Sequence, residues 1–376
     1  MRVLSDHGLV DVDKSSQELL ESQGYSIHRC VHSWTISVLN QEWDYDLAKV
    51  AVTFVASHVP GGRDFRPWVT QRRLLQHAAR CSYIVLHGLV TDNGLAGAHF
   101  DLGYLYANQG KLVKAEQMYE RALRGYETAL GAEHTSTLNT VNNLGNLYCD
   151  QGKLAQAEQM FERALRGYET ALGAEHTSTL LIVNNLGCLY TDQGKLAQAE
   201  QMFERTLQGY ETALGADHTS TLNAVGNLGN LYRDQDKLAQ AEQMYERTLQ
   251  GYETALGAEH TSTLKTVGNL GNLYRDQGKL AQAEQMYERA LRGYEKALGT
   301  DNTATYIPAL NTLWCLGFLL KLQSDFTNSR IMYSKALVGY EKVVGPDHSK
   351  CQSLREILQT LNTITEKEAM KGKKSR

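Results

Sequence analysis

The sequence has no C-x-x-C pair, no phosphate-binding loop, no basic stripe and no apolar run long enough to cross a bilayer. Its six cysteines (Cys30, Cys81, Cys149, Cys188, Cys315 and Cys351) share no recurring spacing, which argues against a disulfide framework or a zinc site and for reduced thiols. Val50–Val59 and Tyr83–Val90 both fall short of the roughly 18 apolar residues a span requires. The segment Met1–Lys14 lacks the apolar centre of a secretory signal, so a cytoplasmic location is expected. Thirty-eight Lys and Arg against 42 Asp and Glu leave a net charge of −4 and no cationic footprint for nucleic acid. Only Lys371, Lys373, Lys374 and Arg376 cluster, and they read as a short solvated tail. A hydrophobic content of 42% fits a chain that buries a core.

What the sequence does have is repetition. Leu-Gly-x-Leu-Tyr occurs at Leu102–Tyr106, Leu144–Tyr148, Leu186–Tyr190, Leu228–Tyr232 and Leu270–Tyr274, each copy 42 residues after the last. A weaker copy, Leu316–Leu320, comes four residues late, and the extra length lies in Thr300–Asn311. A fixed period of this size marks stacked structural repeats.

Each unit reads as two helices. Over Lys111–Leu130 the residues Leu112, Ala115, Met118, Tyr119, Ala122, Leu123, Tyr126, Ala129 and Leu130 recur at intervals of three and four, one helical stripe. Gly131 is the stop signal after it. The next helix, over about Ser136–Asp150, is expected to take Thr135 as its N-cap. Pro308, which aligns with Ser136, suits a first helical turn. That helix ends at Gln151-Gly152-Lys153, where glycine can adopt the left-handed conformation. Gly110, Gly194 and Gly278 repeat the feature and Asp236 stands in for it once.

The pattern of Leu144, Gly145 and Tyr148 followed by Ala157 and Phe161 returns as Leu186, Gly187, Tyr190, Ala199 and Phe203. Ala241–Tyr245 and Ala283–Tyr287 repeat its second half with tyrosine. The chain therefore resembles a tetratricopeptide array. Valine (Val141, Val183, Val225, Val267) replaces the usual tryptophan, and the unit-closing proline is missing. The long unit with its Leu-Gly-x-x-His turn resembles the kinesin light chain type. The resemblance covers about Gly97–Val344 and implies an all-α fold: a right-handed superhelical solenoid of about six helix pairs. The expected organisation is a small, mainly helical N-terminal flank over residues 1–95, six units over 96–346, and a capping helix with basic tail over 347–376. Leu354, Ile357, Leu358 and Leu361 would seal the open end.

Packing accounts for the fixed residues. Gly145, Ala157 and Ala164 let helices approach, while Tyr148 and Phe161 fill space between units. Mid-helix Gly125, Gly167, Gly209, Gly251, Gly293 and Gly339 each cost about 1 kcal/mol against alanine. They are expected to mark close contact between units.

The flank is expected to hold a short strand or wing at Gly24–His28 and helices near Val31–Leu39, Leu47–Val55 and Trp68–Leu86. Tyr25–Trp34, Trp68, Arg72 and Arg73 resemble the segment that joins a nucleotide-binding NACHT or NB-ARC module to the repeats of fungal NOD-like receptors. With no phosphate loop in this chain, that resemblance implies a nucleotide-binding module supplied by another chain.

No cofactor, metal or catalytic set is expected. His28 and His32 lie one helical turn apart near Cys30, but lack the glutamate of H-E-x-x-H and a third ligand. His134, His176, His218 and His260, with His348 in a related place, sit a unit apart. They are expected to cap or pack, not to catalyse.

The candidate binding face is the first helix of each unit, which in tetratricopeptide arrays lines the inner groove. Asn139, Asn142, Asn143 and Asn146 share it in one unit, followed by Asn184 and Asn185, Asn227 and Asn230, and Asn269 and Asn272. An asparagine amide both donates and accepts, so it can pair with an extended peptide backbone. The residues that vary between units gather there too: Asn139, Leu181, Asn223 and Lys265; Asn146, Cys188, Asn230 and Asn272; Cys149, Thr191, Arg233 and Arg275. Arg233, Lys265, Arg275 and Lys321 make the later units more basic, partly offset by Asp150, Asp192, Asp234 and Asp276. The expected partner is a protein or extended peptide with acidic residues near units four to six.

Overall fold

The computed structural model describes residues 10–13, 24–27, 45–60 and 67–374. Two short strands, β1 (Val10–Asp13) and β2 (Gly24–Ile27), pair antiparallel with Val10 opposite Ile27. All else that is regular among the described residues is helical. The expected strand at Gly24–His28 is β2. The expected helices near Leu47–Val55 and Trp68–Leu86 are α1 (Tyr45–Ser57) and α2 (Pro67–Leu86). The helix expected around Val31, Trp34, Val38 and Leu39 lies outside the described residues. So do the His28, Cys30 and His32 cluster and the side chains of Trp68, Arg72 and Arg73.

Six helix pairs follow. They are α3 (Ala96–Asn108) with α4 (Leu112–Leu130), α5 (Thr135–Asp150) with α6 (Leu154–Leu172), and α7 (Thr177–Asp192) with α8 (Leu196–Leu214). Next come α9 (Thr219–Asp234) with α10 (Leu238–Leu256), and α11 (Thr261–Asp276) with α12 (Leu280–Leu298). The late copy of the motif has a cause: a four-residue helix, α13 (Thr300–Thr303), precedes the sixth pair, α14 (Ile307–Leu322) and α15 (Phe326–Val344). The last helix, α16 (Ser349–Lys374), buries Cys351, Leu354 and Leu361 against α15.

The turns explain why the units repeat so closely. Between pairs, the N-cap is not Thr135, which is already helical, but His134. Its backbone is extended, and its Nδ1 accepts a hydrogen bond from the Ser136 N–H at 3.1 Å. His176, His218, His260 and His348 do the same at 3.1 to 3.2 Å. An imidazole whose Nδ1 accepts carries its hydrogen on Nε2, so each ring satisfies an orphan N–H only while neutral. Thr137 Oγ1 then donates to the carbonyl of Gly131 at 2.8 Å, and its counterparts Thr179, Thr221 and Thr263 repeat the bond. Within pairs, Gly152 has φ +72° and Asp236 holds the same left-handed turn at φ +60°, as expected.

Packing inside a unit is tight at two glycines. A Cβ on Gly145 would lie 2.6 Å from the Phe161 ring, and one on Gly167 would lie 2.4 Å from Leu138 Cδ2. Both neighbours belong to the same unit, so the mid-helix glycine series marks contact within units, not between them. Leu138 and its equivalents Leu180, Leu222, Leu264 and Leu310 use the missing side chain as their socket. The aromatic at Phe161 and Phe203 is at most 2% exposed. Phe203 and Ala199 meet Leu228 and Leu231 of the following unit in one apolar cluster, so this ring also fills space between units. Burying such a ring stabilises by roughly 1.5–3 kcal/mol.

A polar clamp repeats across each junction. Glu116 accepts from Gln151 Nε2 at 2.9 Å and from Lys153 Nζ at 3.2 Å, while that ammonium sits 5.3 Å from the Tyr148 ring centre. Glu158, Glu200 and Glu242 receive Gln193, Gln235 and Gln277 in the same way. On the second helices, Arg163 pairs with Glu127 at 2.6 Å, Arg205 with Glu169 at 3.0 Å and Arg247 with Glu211 at 2.7 Å. These half-exposed pairs contribute modestly to stability, each about 0–1 kcal/mol.

Candidate functional site

The first helices α5, α7, α9 and α11 bury Thr, Leu and Val on one side, as Thr137, Leu138, Val141, Leu144 and Leu147 do in α5. The opposite side carries the asparagines and the unit-specific residues. Asn139, Asn146, Asn223 and Lys265 are exposed, while Asn143, Asn184, Asn185, Asn227, Asn230, Asn269 and Asn272 are half-buried. Asn142 is buried, at 3% exposure.

The half-buried asparagines are tied into a ladder between units. Asn185 Nδ2 donates to Asn142 Oδ1 at 2.8 Å, Asn227 to Asn184 at 2.9 Å and Asn269 to Asn230 at 3.2 Å. The phenols of Tyr245 and Tyr287 donate to Asn230 and Asn272 at 2.6 and 2.7 Å. Part of each amide's capacity therefore goes to holding first helices in register. The groups best placed to meet a visitor are the exposed Asn139, Asn146, Asn223 and Lys265.

Arg233 and Arg275 are also engaged. Arg233 lies 3.0 Å from Asp234 and 3.8 Å from Asp276, and Arg275 lies 2.7 Å from Asp276 and stacks 5.5 Å over the Phe318 ring. Burial alone would lower the pKa of Arg233, but Tyr245, Asp234 and Asp276 together raise it. The carboxylates neutralise much of the positive charge that the sequence suggested for units four and five. In the earlier units, burial pushes the Asp150 and Asp192 carboxyls up, and each is raised further by its acidic neighbour in the next unit.

Two clefts open on this face. One of 90 Å³ lies over Asn223, Asn227, Asn230, Lys265 and Asn269. A larger one of 610 Å³ spans units five and six and the last helix, with Lys265, Asn269, Asn272, Asn311, Trp314 and Lys350 on its walls. Lys350 Nζ donates to Asn311 Oδ1 at 3.3 Å and sits 5.2 Å from the Tyr340 ring centre. Burial lowers its pKa, and Asp150 opposes that shift. Sequence reasoning missed Asn311, Trp314 and Lys350. The signal for Asn311 was available: once the four-residue offset is applied, it falls in the same column as Asn139, Leu181, Asn223 and Lys265. Among the described residues no group of His, Cys, Asp or Glu is placed to hold a metal ion, and no helix is long and apolar enough to cross a membrane.

Stacked helix pairs with a polar, unit-specific inner face define a helical-repeat solenoid built to present a surface. The tetratricopeptide repeat family model matches residues 94–170, 136–212, 175–254 and 217–296, and the chain belongs to that family. Structures of the same fold include the apo form of RapI, 12% identical, covering 80% of this chain and 98% of that one with a TM-score of 0.57. A Rap protein complexed with Competence and Sporulation Factor is also 12% identical, covering 86% of this chain and 99% of that one with a TM-score of 0.52. A Podosopora anserina putative kinesin light chain with nearly identical TPR-like repeats is 21% identical, covering 56% of this chain and 99% of that one with a TM-score of 0.43. No curated relative matches the sequence.

Proposed function

We propose that this protein is a non-catalytic interaction scaffold that takes an extended peptide or protein segment along its inner groove. The observation that carries this reading is the contrast within the repeat. The residues that build each unit hardly change from copy to copy, while Asn139, Leu181, Asn223 and Lys265, in one column, differ and are all exposed. Packing does not demand that variation, whereas selectivity along a peptide does. The exposed Lys265, with Lys350 nearby, favours acidic residues in the peptide over units five and six. Asn139, Asn143, Asn146, Asn223, Asn227, Asn230, Asn269 and Asn272 supply amides along the track, Asn142, Asn184 and Asn185 keep it in register, and Arg233 and Arg275 shape its later half.

The flank's likeness to NOD-like receptors supports a role as the sensor arm of such a lineage, in the cytoplasm, with a nucleotide-binding module supplied by another chain. A second reading, a kinesin light chain-like cargo adaptor, is favoured by the Leu130-Gly131-Ala132-Glu133-His134 turn and the 42-residue period. The test is a displayed random-peptide library panned against the wild type and against an Asn223→Ala, Lys265→Glu variant. Acidic peptides enriched on the wild type and lost on the variant support the groove. Equal enrichment on both sinks it.

A further inference from the structure

The first and sixth units touch. Lys111, in the turn between α3 and α4, donates from Nζ to the carbonyl of Val343 at 2.9 Å, a contact across 232 residues of sequence. Beside it, a Cβ on Gly110 would lie 3.5 Å from Val344 Cγ1, 3.9 Å from Val343 and 4.0 Å from Ile307. One unit further along, Asp150 at the end of α5 and Lys350 at the start of α16 feel each other's charge. The Lys111 contact joins a turn on one edge of the array to the opposite edge five units later, and Asp150 and Lys350 face each other through space at the same remove. The first unit of the solenoid thus meets the sixth.

This changes what the groove is. Cys188 projects from α7 in the same column as Asn146, Asn230 and Asn272, and it feels the charge of Lys265 two units away. The inner face is thus bounded at one side by the seam that joins the first and sixth units.

We propose that the seam between the Gly110–Lys111 turn and the sixth unit is a gate, closed at rest, that must part to admit an extended segment to the groove. The proposal rests on the groove being the binding face. The seam itself is small: one ammonium-to-carbonyl hydrogen bond and a few aliphatic contacts, with Asp150 and Lys350 attracting each other through space. The junctions between consecutive units bury whole aromatic and aliphatic columns. An assembly with strong bonds between neighbours and a weak bond at closure opens at the closure first. An extended chain can enter such a gap side-on, while a folded domain is excluded.

Reactivity of Cys188 tests this without any ligand, so it fails independently of the groove reading. Cys188 is the exposed cysteine among the described residues, and the full chain would carry Cys30→Ser so that the label reports on the described cysteines alone. Burial raises the Cys188 thiol pKa to about 11, so N-ethylmaleimide should label it slowly, and a polyethylene-glycol maleimide about tenfold more slowly still, because it waits for the open fraction. Lys111→Glu with Lys350→Glu should remove that difference while circular dichroism stays helical. Equal rates for both reagents on the parent, or an unchanged ratio in the seam variant, would overturn the gate. Should the double variant lose helicity, small-angle scattering on Lys111→Glu alone decides. The maximum dimension should grow, and an unchanged value on a folded chain counts against the proposal.

Discussion

The two sides of each first helix follow different rules. The buried side of α5 repeats almost residue for residue in α7, α9 and α11, because Thr137, Leu138, Val141, Leu144 and Leu147 each meet a fixed neighbour. On the exposed side the column starting at Asn139 reads Asn, Leu, Asn, Lys and then Asn311. Packing tolerates little change at positions with no spare volume, while exposed positions cost almost nothing to vary. A repeat protein can thus keep one unit's physics and still write a different residue on every unit's face.

Substitutions should separate the two sides by size of effect. Phe203→Ala should destabilise the array by about 3–5 kcal/mol in urea unfolding, since the ring is shared by two units and its neighbours cannot collapse onto the space. Filling the socket is the converse error. Gly209→Ala places a Cβ 2.5 Å from Leu180 Cδ1 and should cost about 1–3 kcal/mol by the same measurement. Both would undo the comparison if they were silent.

Acid should act on the frame before the face. Burial drives the pKa of His99 down to about 4, with Asp92 opposing and Arg121 and Arg124 assisting. Burial also lowers the pKa of His260, an N-cap. A histidine neutral in the fold and free to protonate when unfolded keeps its full stability above the unfolded value near 6.5. That stability is lost as pH falls, until the folded value is passed. For His99 the window runs from about 6.5 to 4 and the loss is about 2–3 kcal/mol. Urea midpoints measured from pH 7 to pH 4 should fall, and less steeply in His99→Phe.

The clamp and the face come last. Glu158→Gln should cost about 0–1 kcal/mol and less in high salt. Asn223→Ala or Lys265→Glu should shift stability by less than about 0.5 kcal/mol.

Much of the frame was legible in the sequence. The 42-residue period, the glycine stops and Asp236 in a left-handed turn were all there to read, because local geometry dictates those residues. Thr135 was misjudged as the cap, since side-chain capping preferences favour hydroxyls and do not show that a histidine Nδ1 sits closer to the free N–H. The socket at Gly167 was assigned to the wrong neighbour for a related reason. A glycine announces a close approach but not its partner. The site was less legible. Charge counting showed that Asp234 and Asp276 offset part of the positive charge of Arg233 and Arg275, but not that each aspartate pairs directly with the arginine one residue before it. Burial of Asn142 and the donor-acceptor ladder depend on how first helices pack side by side, which spacing along one helix does not report.

The most direct test carries several face substitutions at once. Asn139→Ala, Asn146→Ala, Asn223→Ala and Lys265→Glu combined should leave the urea midpoint within error of the wild type while abolishing enrichment of displayed peptides. A combined variant that unfolds early, or that selects the same peptides as the wild type, would contradict the division between frame and face.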